Sequence, residues 1–257
     1  MDCKQPQIAV DAQNLTVTYI DPDGNPTHAV QDVTLAVPEH SIVAVVGPSG
    51  CGKSTLLRTI AGFIELSDGC LETDYLRFSM IPQQFAGFPW LTVFEHVRFG
   101  LRGRGLSKSE QEEEVVRLLE LVQLSGHGGK YIKELSGGMQ QRVMLATVLA
   151  YDPDVLLMDE PFSALDAQTR EQMQELLLTV WGETKKTIIF VTHAIEEAIF
   201  LADKVYVMSA GPGTITKQVD IDLPRPRNFQ MRFSKQFSEY HKQLSEIIRR
   251  KSVVFVP

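Results

Sequence analysis

Hydrophobic residues along this chain recur with two different periods. Four short apolar runs rich in branched residues are typical of strands buried inside a parallel sheet. These runs lie at residues 42–46, 155–158, 187–191 and 205–208. The segment 110–124 differs, because Val115, Leu118, Leu119 and Val122 share one face of a predicted helix. Strands that alternate with helices predict an α/β fold with a parallel sheet and right-handed crossovers.

The N-terminal part of the chain has a β-type pattern. Ile8–Val10 and Leu15–Tyr19 are predicted as two separate short strands, and alternating apolar positions at 33–37 predict another. Segment 21–26, rich in Asp, Pro and Gly, is a strong turn signal between the second and the third of these strands. By contrast, a predominantly helical pattern near residues 88–148 indicates a helical insert within the sheet-forming chain.

A change of pattern after Asn228 marks a C-terminal segment. Its apolar residues are spaced by four and three positions, which places them on one helical face. They are Phe233, Phe237, Tyr240, Leu244 and Ile247. The basic triplet Arg249–Lys251 then complements the negative end of a helix. We predict a helix that packs back on its own domain, with a regulatory or partner-binding helix as the alternative.

Composition narrows the possible classes of protein. The chain has 257 residues, and its 32 acidic and 25 basic side chains give a net charge of −7, which argues against non-specific nucleic-acid binding. Cys3, Cys51 and Cys70 support neither a disulfide framework nor a zinc site, so a reducing compartment is expected. The sequence has no signal-peptide pattern at its start and no run of 18 apolar residues. We therefore expect any membrane role to come through a partner.

A glycine-rich segment directly follows the apolar run 42–46. It matches the pattern G-x-x-x-x-G-K-[ST], in which glycines let backbone N–H groups surround a polyphosphate. Lys53 adds positive charge for the outer phosphates, Ser54 offers a hydroxyl to Mg²⁺, and the helix that begins there points its positive end at the same place. The predicted nucleotide contacts are Gly47, Pro48, Ser49, Gly50, Cys51, Gly52, Lys53, Ser54 and Thr55.

Two acidic residues end the apolar run 155–158. Asp159 and Glu160 are predicted on opposite sides of the strand end, so they can have different roles. Asp159 suits Mg²⁺, which keeps most of its waters and takes few protein ligands. Glu160 could orient and deprotonate an attacking water. The alternative is that both acids only mark the end of a buried strand.

A second anion-binding helix start lies at residues 135–142. Ser136 can cap this helix, and Gly137 and Gly138 expose N–H groups at its first turn. The phosphate loop already serves this chain's own nucleotide. The two features therefore need not serve the same bound molecule.

Together these segments resemble the ATP-binding subunits of ABC transporters over residues 5–227. The resemblance implies a P-loop NTPase (RecA-like) parallel-sheet core with an N-terminal antiparallel β part and an inserted α-helical subdomain. The core would comprise about 5–87 and 149–227, and the helical subdomain about 88–148. Residues 228–257 would form a C-terminal helical tail.

Four further positions match motifs of the family in the same order. Tyr19 corresponds to an aromatic residue that stacks on adenine, with a tyrosine packed in the sheet as the alternative. Gln83 corresponds to a glutamine that touches Mg²⁺ and the transmembrane partner, so the implied metal contacts are Ser54, Gln83 and Asp159. Asp166 belongs to a loop that crosses the dimer interface. His193 corresponds to the switch histidine that contacts the γ-phosphate.

The resemblance also implies a mechanism, with ATP and Mg²⁺ as cofactors. Two subunits, identical or closely related, would face head to tail, so that Ser136–Gly138 of one cap the ATP on Lys53 of the other. Glu160 would act as the base, while Lys53, His193 and Mg²⁺ stabilise developing charge. The implied partners are transmembrane permease subunits and, through them, an external substrate-binding protein, without nucleic acid. The implied location is the cytoplasmic face of the inner membrane, peripheral through the permease.

The sequence departs from the family pattern at several places. The chain is short between Gly69 and Ser79, which predicts a trimmed antiparallel β part, and Pro82, Ile132 and Thr147 replace more common residues. None of these changes removes a catalytic group.

Three segments resemble importers of the nitrate, sulfonate and taurine group. They lie at 88–93, 211–215 and 222–227. Bicarbonate, cyanate or a thiamine-precursor base remain alternative cargoes. The alternative functions are a soluble ABC-type ATPase acting on nucleic acid or ribosomes, a non-catalytic regulatory subunit and an ABC exporter subunit. Lys53, Asp159, Glu160 and His193 are all present, which argues against the regulatory subunit.

Overall fold

The structure is a computed structural model that describes residues 7–73, 75, 77–84, 87–209 and 211–252. The strands are β1 (Ile8–Ile20), β2 (Pro26–Pro38), β3 (Ile42–Val46), β4 (Asp68–Glu72), β5 (Phe78–Ile81), β6 (Val155–Asp159), β7 (Thr187–Thr192), β8 (Lys204–Ser209) and β9 (Thr214–Asp220). The α-helices are α1 (Lys53–Ile60), α2 (Val93–Gly100), α3 (Lys108–Leu121), α4 (Gly137–Ala150), α5 (Ala167–Thr184), α6 (Ile195–Leu201) and α7 (Lys235–Ser252). Two 3-10 helices lie at Ile132–Glu134 and Phe229–Phe233.

The larger sheet places the carboxyl ends of five parallel strands at one edge. Its strand order is β5-β6-β7-β3-β8-β9, with parallel pairing from β5 to β8 and an antiparallel β9. Strand β3 lies inside the sheet and all five of its residues are buried. Ile42, Ala44 and Val46 pack in the core on one face, and Val43 and Val45 pack in the core on the other. Burial on both faces explains the continuous apolar runs in the sequence.

The smaller sheet is antiparallel, with the order β2-β1-β4. The prediction of two separate strands at Ile8–Val10 and Leu15–Tyr19 is wrong, because β1 is continuous. Asn14 has a φ of +52°, and the register with β2 shifts between Ala12 and Leu15. Asparagine tolerates this conformation, so a bulge absorbs the polar interruption without ending the strand.

Capping and close packing build the helical insert. Thr92 and Glu95 form a capping box at the start of α2, and Ser107 and Glu110 form another at the start of α3. Helix α2 lies close against α4, because a Cβ atom on Gly100 would come within 2.2 Å of the Thr147 carbonyl oxygen. Only glycine allows this approach.

The three unusual residues noted in the sequence are accommodated locally. Ile132 is buried in the first 3-10 helix. The Thr147 hydroxyl donates to the Val143 carbonyl oxygen at 2.8 Å inside α4. Pro82 is half-buried directly after β5.

Helix α7 packs against α6 and β8 of the main domain. Phe237 and Leu244 are buried, and Tyr240 and Ile247 pack against the same core. The inclusion of Phe233 in this face was wrong: Phe233 is 76% exposed, because it belongs to the 3-10 helix that precedes α7. The side chains of residues 250–252, and residues 5, 6 and 253–257 of the predicted domains, lie outside the described part of the chain.

Candidate functional site

Strand register brings the predicted site residues to one edge of the larger sheet. Val46 pairs with Thr192, and Asp159 pairs with Val191. The phosphate loop, Glu160 and His193 each follow the last residues of their strands. Parallel strands therefore bring together residues that are up to 146 positions apart in sequence, from Gly47 to His193.

The phosphate loop closes tightly around its own backbone. Lys53 is buried, and its Nζ donates to the carbonyl oxygens of Gly47 at 3.0 Å and Pro48 at 2.9 Å. Gly52 has a φ of +97°, and a Cβ atom there would lie 2.4 Å from the Ala29 carbonyl oxygen. A side chain at this position would therefore be strained and would collide with β2.

Cys51 is a packing residue of this loop. Burial raises the pKa of its thiol, which keeps the sulfur protonated. The residue is 1% exposed and belongs to the core beneath the small sheet.

Asp159 and Ser54 meet at the start of α1. The Ser54 hydroxyl donates to Asp159 Oδ1 at 2.8 Å, and Arg58 Nη2 lies 4.0 Å from Asp159 Oδ2. This adjacent hydroxyl and carboxylate are hard oxygen donors of the kind that Mg²⁺ prefers. Among the described residues no group of three or more His, Cys, Asp or Glu could hold a metal ion. The pair of Ser54 and Asp159 is a donor set that Mg²⁺ can use, because this ion takes few protein ligands.

Glu160 points to partners different from those of Asp159. Its Oε1 lies 3.8 Å from Lys53 Nζ, and its Oε2 lies 3.0 Å from His193 Nδ1. Gln83 Nε2 donates to Ser163 Oγ at 3.4 Å, and Ser163 Oγ donates to the Glu160 carbonyl oxygen at 2.9 Å. Adjacent acids on one strand end are thus held by separate networks.

A cavity of about 420 Å³ opens between these groups. Its lining residues are Ala29, Ser49, Gly50, Gly52, Lys53, Ser54, Thr55, Gln83 and Glu160. Tyr19 lies at the margin, 45% exposed, with its hydroxyl 3.5 Å from Thr55 Oγ1. The volume is in the range of small-molecule sites, roughly 300–1,000 Å³.

The predicted residues at the starts of α4 and α5 lie outside this cavity. Ser136 caps α4 by accepting from Met139 N at 3.4 Å, and Asp166 caps α5 by accepting from Thr169 N at 3.0 Å. A Cβ on Gly138 would lie 2.3 Å from Thr169 Cγ2, so the two helix starts are neighbours. Ser136, Gly137 and Asp166 are exposed, which leaves this pair of helix starts open to another molecule.

Comparison with known proteins decides the family. The family model described as ABC transporter matches residues 30–163. An uncharacterised ABC transporter ATP-binding protein of Methanocaldococcus jannaschii is 42% identical over 250 residues, which cover 95% of this chain and 92% of that protein. The chain belongs to the ABC transporter family. A taurine import ATP-binding protein, TauB, of Rhizobium johnstonii is also 42% identical, covering 88% of this chain and 90% of the relative.

Solved ABC cassettes share the fold. One is a dimeric ATP-binding cassette in a post-hydrolysis state bound to ADP and Pi, with a TM-score of 0.72 and 29% identity, covering 84% of this chain and 100% of that chain. Another is cbiO1 from Clostridium perfringens, with a TM-score of 0.76, 25% identity and coverage of 95% and 98%. The predicted P-loop fold class is confirmed. The chain is a nucleotide-binding ATPase subunit of the ABC type.

Two residues of the site were not predicted from the sequence. Ala29 lines the cavity from β2, and nothing in the local sequence distinguishes it from other strand residues. Arg58 approaches Asp159 from α1. Its position four residues after Ser54 places it on the same helical face, which is a signal that the sequence does contain.

Proposed function

We propose that this ABC-type chain is the ATP-hydrolysing subunit of an importer that moves taurine or a related small anion. The observation that carries the proposal is the single cavity in which Lys53, Ser54 and Glu160 converge, with Asp159 and His193 directly behind them. Phosphoryl transfer needs positive charge, a residue that positions the attacking water and a carboxylate that can hold a metal ion. Lys53 and Glu160 in the cavity wall and Asp159 behind Ser54 are groups of these three kinds.

Glu160 is the proposed general base. Its carboxylate accepts a hydrogen bond from His193 Nδ1–H at 3.0 Å and faces Lys53 Nζ at 3.8 Å. These contacts fix the carboxylate at the wall of the cavity, where it can take a proton from an attacking water. Lys53 and His193 would stabilise the charge that develops on the outer phosphate.

Mg²⁺ is the proposed metal cofactor, held by Ser54, Asp159 and Gln83. When bound with ATP, the ion would neutralise charge on the β- and γ-phosphates. The residues of this chain would contribute by holding the oxygen donors of the metal in place. Ser54 and Asp159 are already 2.8 Å apart, and Gln83 lines the same cavity.

The second half of the nucleotide site is proposed to come from another subunit. Ser136, Gly137, Gly138 and Asp166 lie outside this chain's cavity, and all of them except Gly138 are exposed. A helix start of this kind is suited to an anion. A head-to-tail pair would place these residues over ATP bound to the partner, and closing it would exclude water from the reacting phosphate. The similar cassette solved with ADP and Pi is dimeric.

A surface for the permease is proposed on the helical insert. Phe88, Trp90 and Phe99 form an aromatic patch and are 38%, 67% and 39% exposed. The ring centroid of Phe88 lies 5.4 Å from that of Trp90 and 5.3 Å from that of Phe99. Clustered exposed aromatic residues mark contact surfaces, and this patch follows Gln83 by only a few residues.

The location and cargo follow from these partners. In the described residues, no helix has the length and apolar character needed to cross a bilayer. Attachment to the cytoplasmic face of the inner membrane is therefore proposed to occur through the permease. Taurine import proteins at 42–46% identity support taurine or a related sulfonate as cargo, delivered by an external binding protein, and favour an importer over an exporter or a nucleic-acid ATPase.

Hydrolysis by the purified full chain tests the proposal. Glu160→Gln should keep ATP binding, slow Mg²⁺-dependent hydrolysis by at least about a hundredfold through loss of the base, and trap an ATP-bound dimer detectable by light scattering. Glu175→Gln, an exposed glutamate on α5, is the matched control and should behave like wild type. Near-normal turnover of the Glu160 variant would contradict its role as base.

A further inference from the structure

Glu197 is a buried carboxylate outside the nucleotide cavity. It lies on α6, is 6% exposed, and accepts a hydrogen bond from the Thr192 hydroxyl at 2.6 Å through Oε2. Its other oxygen, Oε1, faces Arg170 Nε of α5 at 3.8 Å. A buried charge is costly unless it is paired, so its contacts deserve a functional explanation.

The first contact of Glu197 fixes the turn that carries His193. Thr192 Oγ1 donates to Glu197 and accepts from Ala194 N at 3.0 Å, so one hydroxyl closes the turn around His193. Ala194 is the N-cap of α6 and has no side chain that could cap the helix. The hydrogen bonds that link Glu197, Thr192 and Ala194 N therefore fix the start of this helix. His193 Nδ1 in turn meets Glu160 Oε2 at 3.0 Å.

The second contact of Glu197 leads to the segment that follows Glu160. Arg170 donates from Nε to the Phe162 carbonyl oxygen at 3.3 Å and from Nη2 to the Leu165 carbonyl oxygen at 2.8 Å. Leu165 directly precedes Asp166, one of the exposed residues at the paired helix starts. Arg170 thus holds the backbone between the proposed base and that surface.

We propose that Glu197 and Arg170 act together as positioning residues for hydrolysis, locking the His193 turn to segment 162–165 on either side of Glu160. Neither residue lines the cavity, so the pair acts through the groups it holds. A shift of either segment changes the distance between Glu160 and His193. Small errors in such geometry are expensive, up to about a hundredfold in rate for about 1 Å.

The electrostatics of Glu197 agree with a functional role. Burial raises the pKa of Glu197, while the Thr192 hydrogen bond and the nearby charges of Arg170, His193 and Arg232 oppose that rise. The ionised group therefore weakens the fold relative to a neutral one. A carboxylate at this position therefore has a clearer role in the proposed hydrolysis of ATP than in the stability of the fold.

The test rests on the proposed ATP hydrolysis and uses the purified full chain at about pH 8, where a carboxylate is expected to be ionised. Glu197→Gln keeps an acceptor oxygen for Thr192 but removes the charge facing Arg170. Arg170→Met removes both hydrogen bonds to the 162–165 backbone. Each should lower kcat by about tenfold or more, with KM and ATP affinity within about threefold of wild type. Arg170→Lys should recover part of the loss.

Two control measurements distinguish a positioning role of these residues from a general loss of structure. Glu196→Gln makes the same chemical change one residue earlier, at a side chain that is 63% exposed, and should keep kcat within about twofold. In the double variant, the second substitution should lower kcat by less than about threefold, because the two residues act as one unit.

Three results would overturn the inference. The first is a double variant in which the two losses of kcat multiply, and the second is a wild-type kcat in either single variant. The third is an ATP affinity that falls together with kcat. If Glu197→Gln fails to fold, the Arg170 variants alone decide through the same split between kcat and KM. An inactive wild-type chain would instead count against the proposed hydrolysis.

Discussion

Glu160 shows how much one backbone conformation decides at the residue scale. It has a φ of +44°, in the left-handed region that few residues other than glycine adopt. This turn directs Glu160 to Lys53 and His193, whereas Asp159 remains in line with β6 and meets Ser54. Strained conformations of this kind cost about 1–3 kcal/mol and gather at functional sites. The two adjacent carboxylates therefore contact different groups.

The titration of Glu197 gives a prediction at the same scale. Its pKa is raised in the folded chain, so its stabilising contribution is present below the unfolded pKa and is lost as pH rises through the folded value. Glu197→Gln does not titrate, so its melting temperature relative to wild type should increase from about pH 5 to about pH 8. Thermal unfolding at both pH values measures this difference. A difference that shrinks with rising pH would contradict the raised pKa.

Helix starts are the features that matter at the element scale. Thr92, Ser107, Ser136 and Asp166 cap their helices with side-chain oxygens, and each helix begins where the sequence supplies such a residue. Helix α1, which begins after Gly52, has no side-chain cap, and neither has helix α6. Helix α6 is seven residues long, begins after Ala194, and follows immediately on His193. Its position is therefore set by tertiary contacts of Glu197.

Ala194→Ser should supply the missing cap. A serine hydroxyl at this position can accept from the first-turn N–H groups, which should stabilise the protein by about 0.5–2 kcal/mol in urea unfolding. Thr92→Ala is the opposite control, since it removes an existing capping box and should destabilise by a similar amount. Unchanged or lower stability of the Ala194 variant would contradict the prediction that the first-turn N–H groups of α6 lack a side-chain acceptor.

The proposed sharing of the nucleotide site between two chains concerns the scale of the whole molecule. The cavity lies at the carboxyl edge of the larger sheet, while the starts of α4 and α5 form a separate exposed surface beside it. This arrangement is what a head-to-tail pair requires. Hydrolysis would then depend on assembly, whereas nucleotide binding to one chain would not.

Ser136→Arg tests that dependence. A large cation in place of the cap should block closure and lower hydrolysis by at least about a hundredfold, while nucleotide binding to the monomer is spared. Equilibrium binding of a fluorescent ATP analogue and steady-state hydrolysis measure the two properties. Ser125→Arg, at another exposed serine of the helical insert, should leave both unchanged. Equal loss of binding and hydrolysis would contradict the cross-chain site.

The aromatic patch makes a second prediction for the assembly. Trp90→Ala removes the most exposed ring of the patch and should lower taurine-stimulated ATPase activity of the reconstituted transporter by about tenfold, through loss of a contact worth roughly 1–2 kcal/mol. The isolated subunit should hydrolyse ATP as wild type does. Phe233→Ala, at an equally exposed ring of the tail, is the control. Full stimulation of the Trp90 variant would place the permease contact elsewhere.

The sequence alone predicted the fold class and the segments of the proposed nucleotide site. Local patterns were sufficient where one segment carries the information, as in the loop Gly47–Thr55, the acids that end β6, and the apolar runs of the larger sheet. Parallel pairing then follows from alternation of strands and helices. The sequence also predicted that Asp159 and Glu160 point in different directions, but the left-handed conformation of Glu160 that produces this was not predicted.

Tertiary structure decided what depends on contacts between distant segments. Ala29 enters the cavity because β2 passes over Gly52, and Phe233 leaves the apolar face because a 3-10 helix precedes α7. Glu197 and Arg170 look like ordinary surface charges of two helices until packing buries the carboxylate between His193 and segment 162–165. The burial of a side chain and the identity of its charged partner depend on how distant segments pack. No local sequence pattern could therefore predict them.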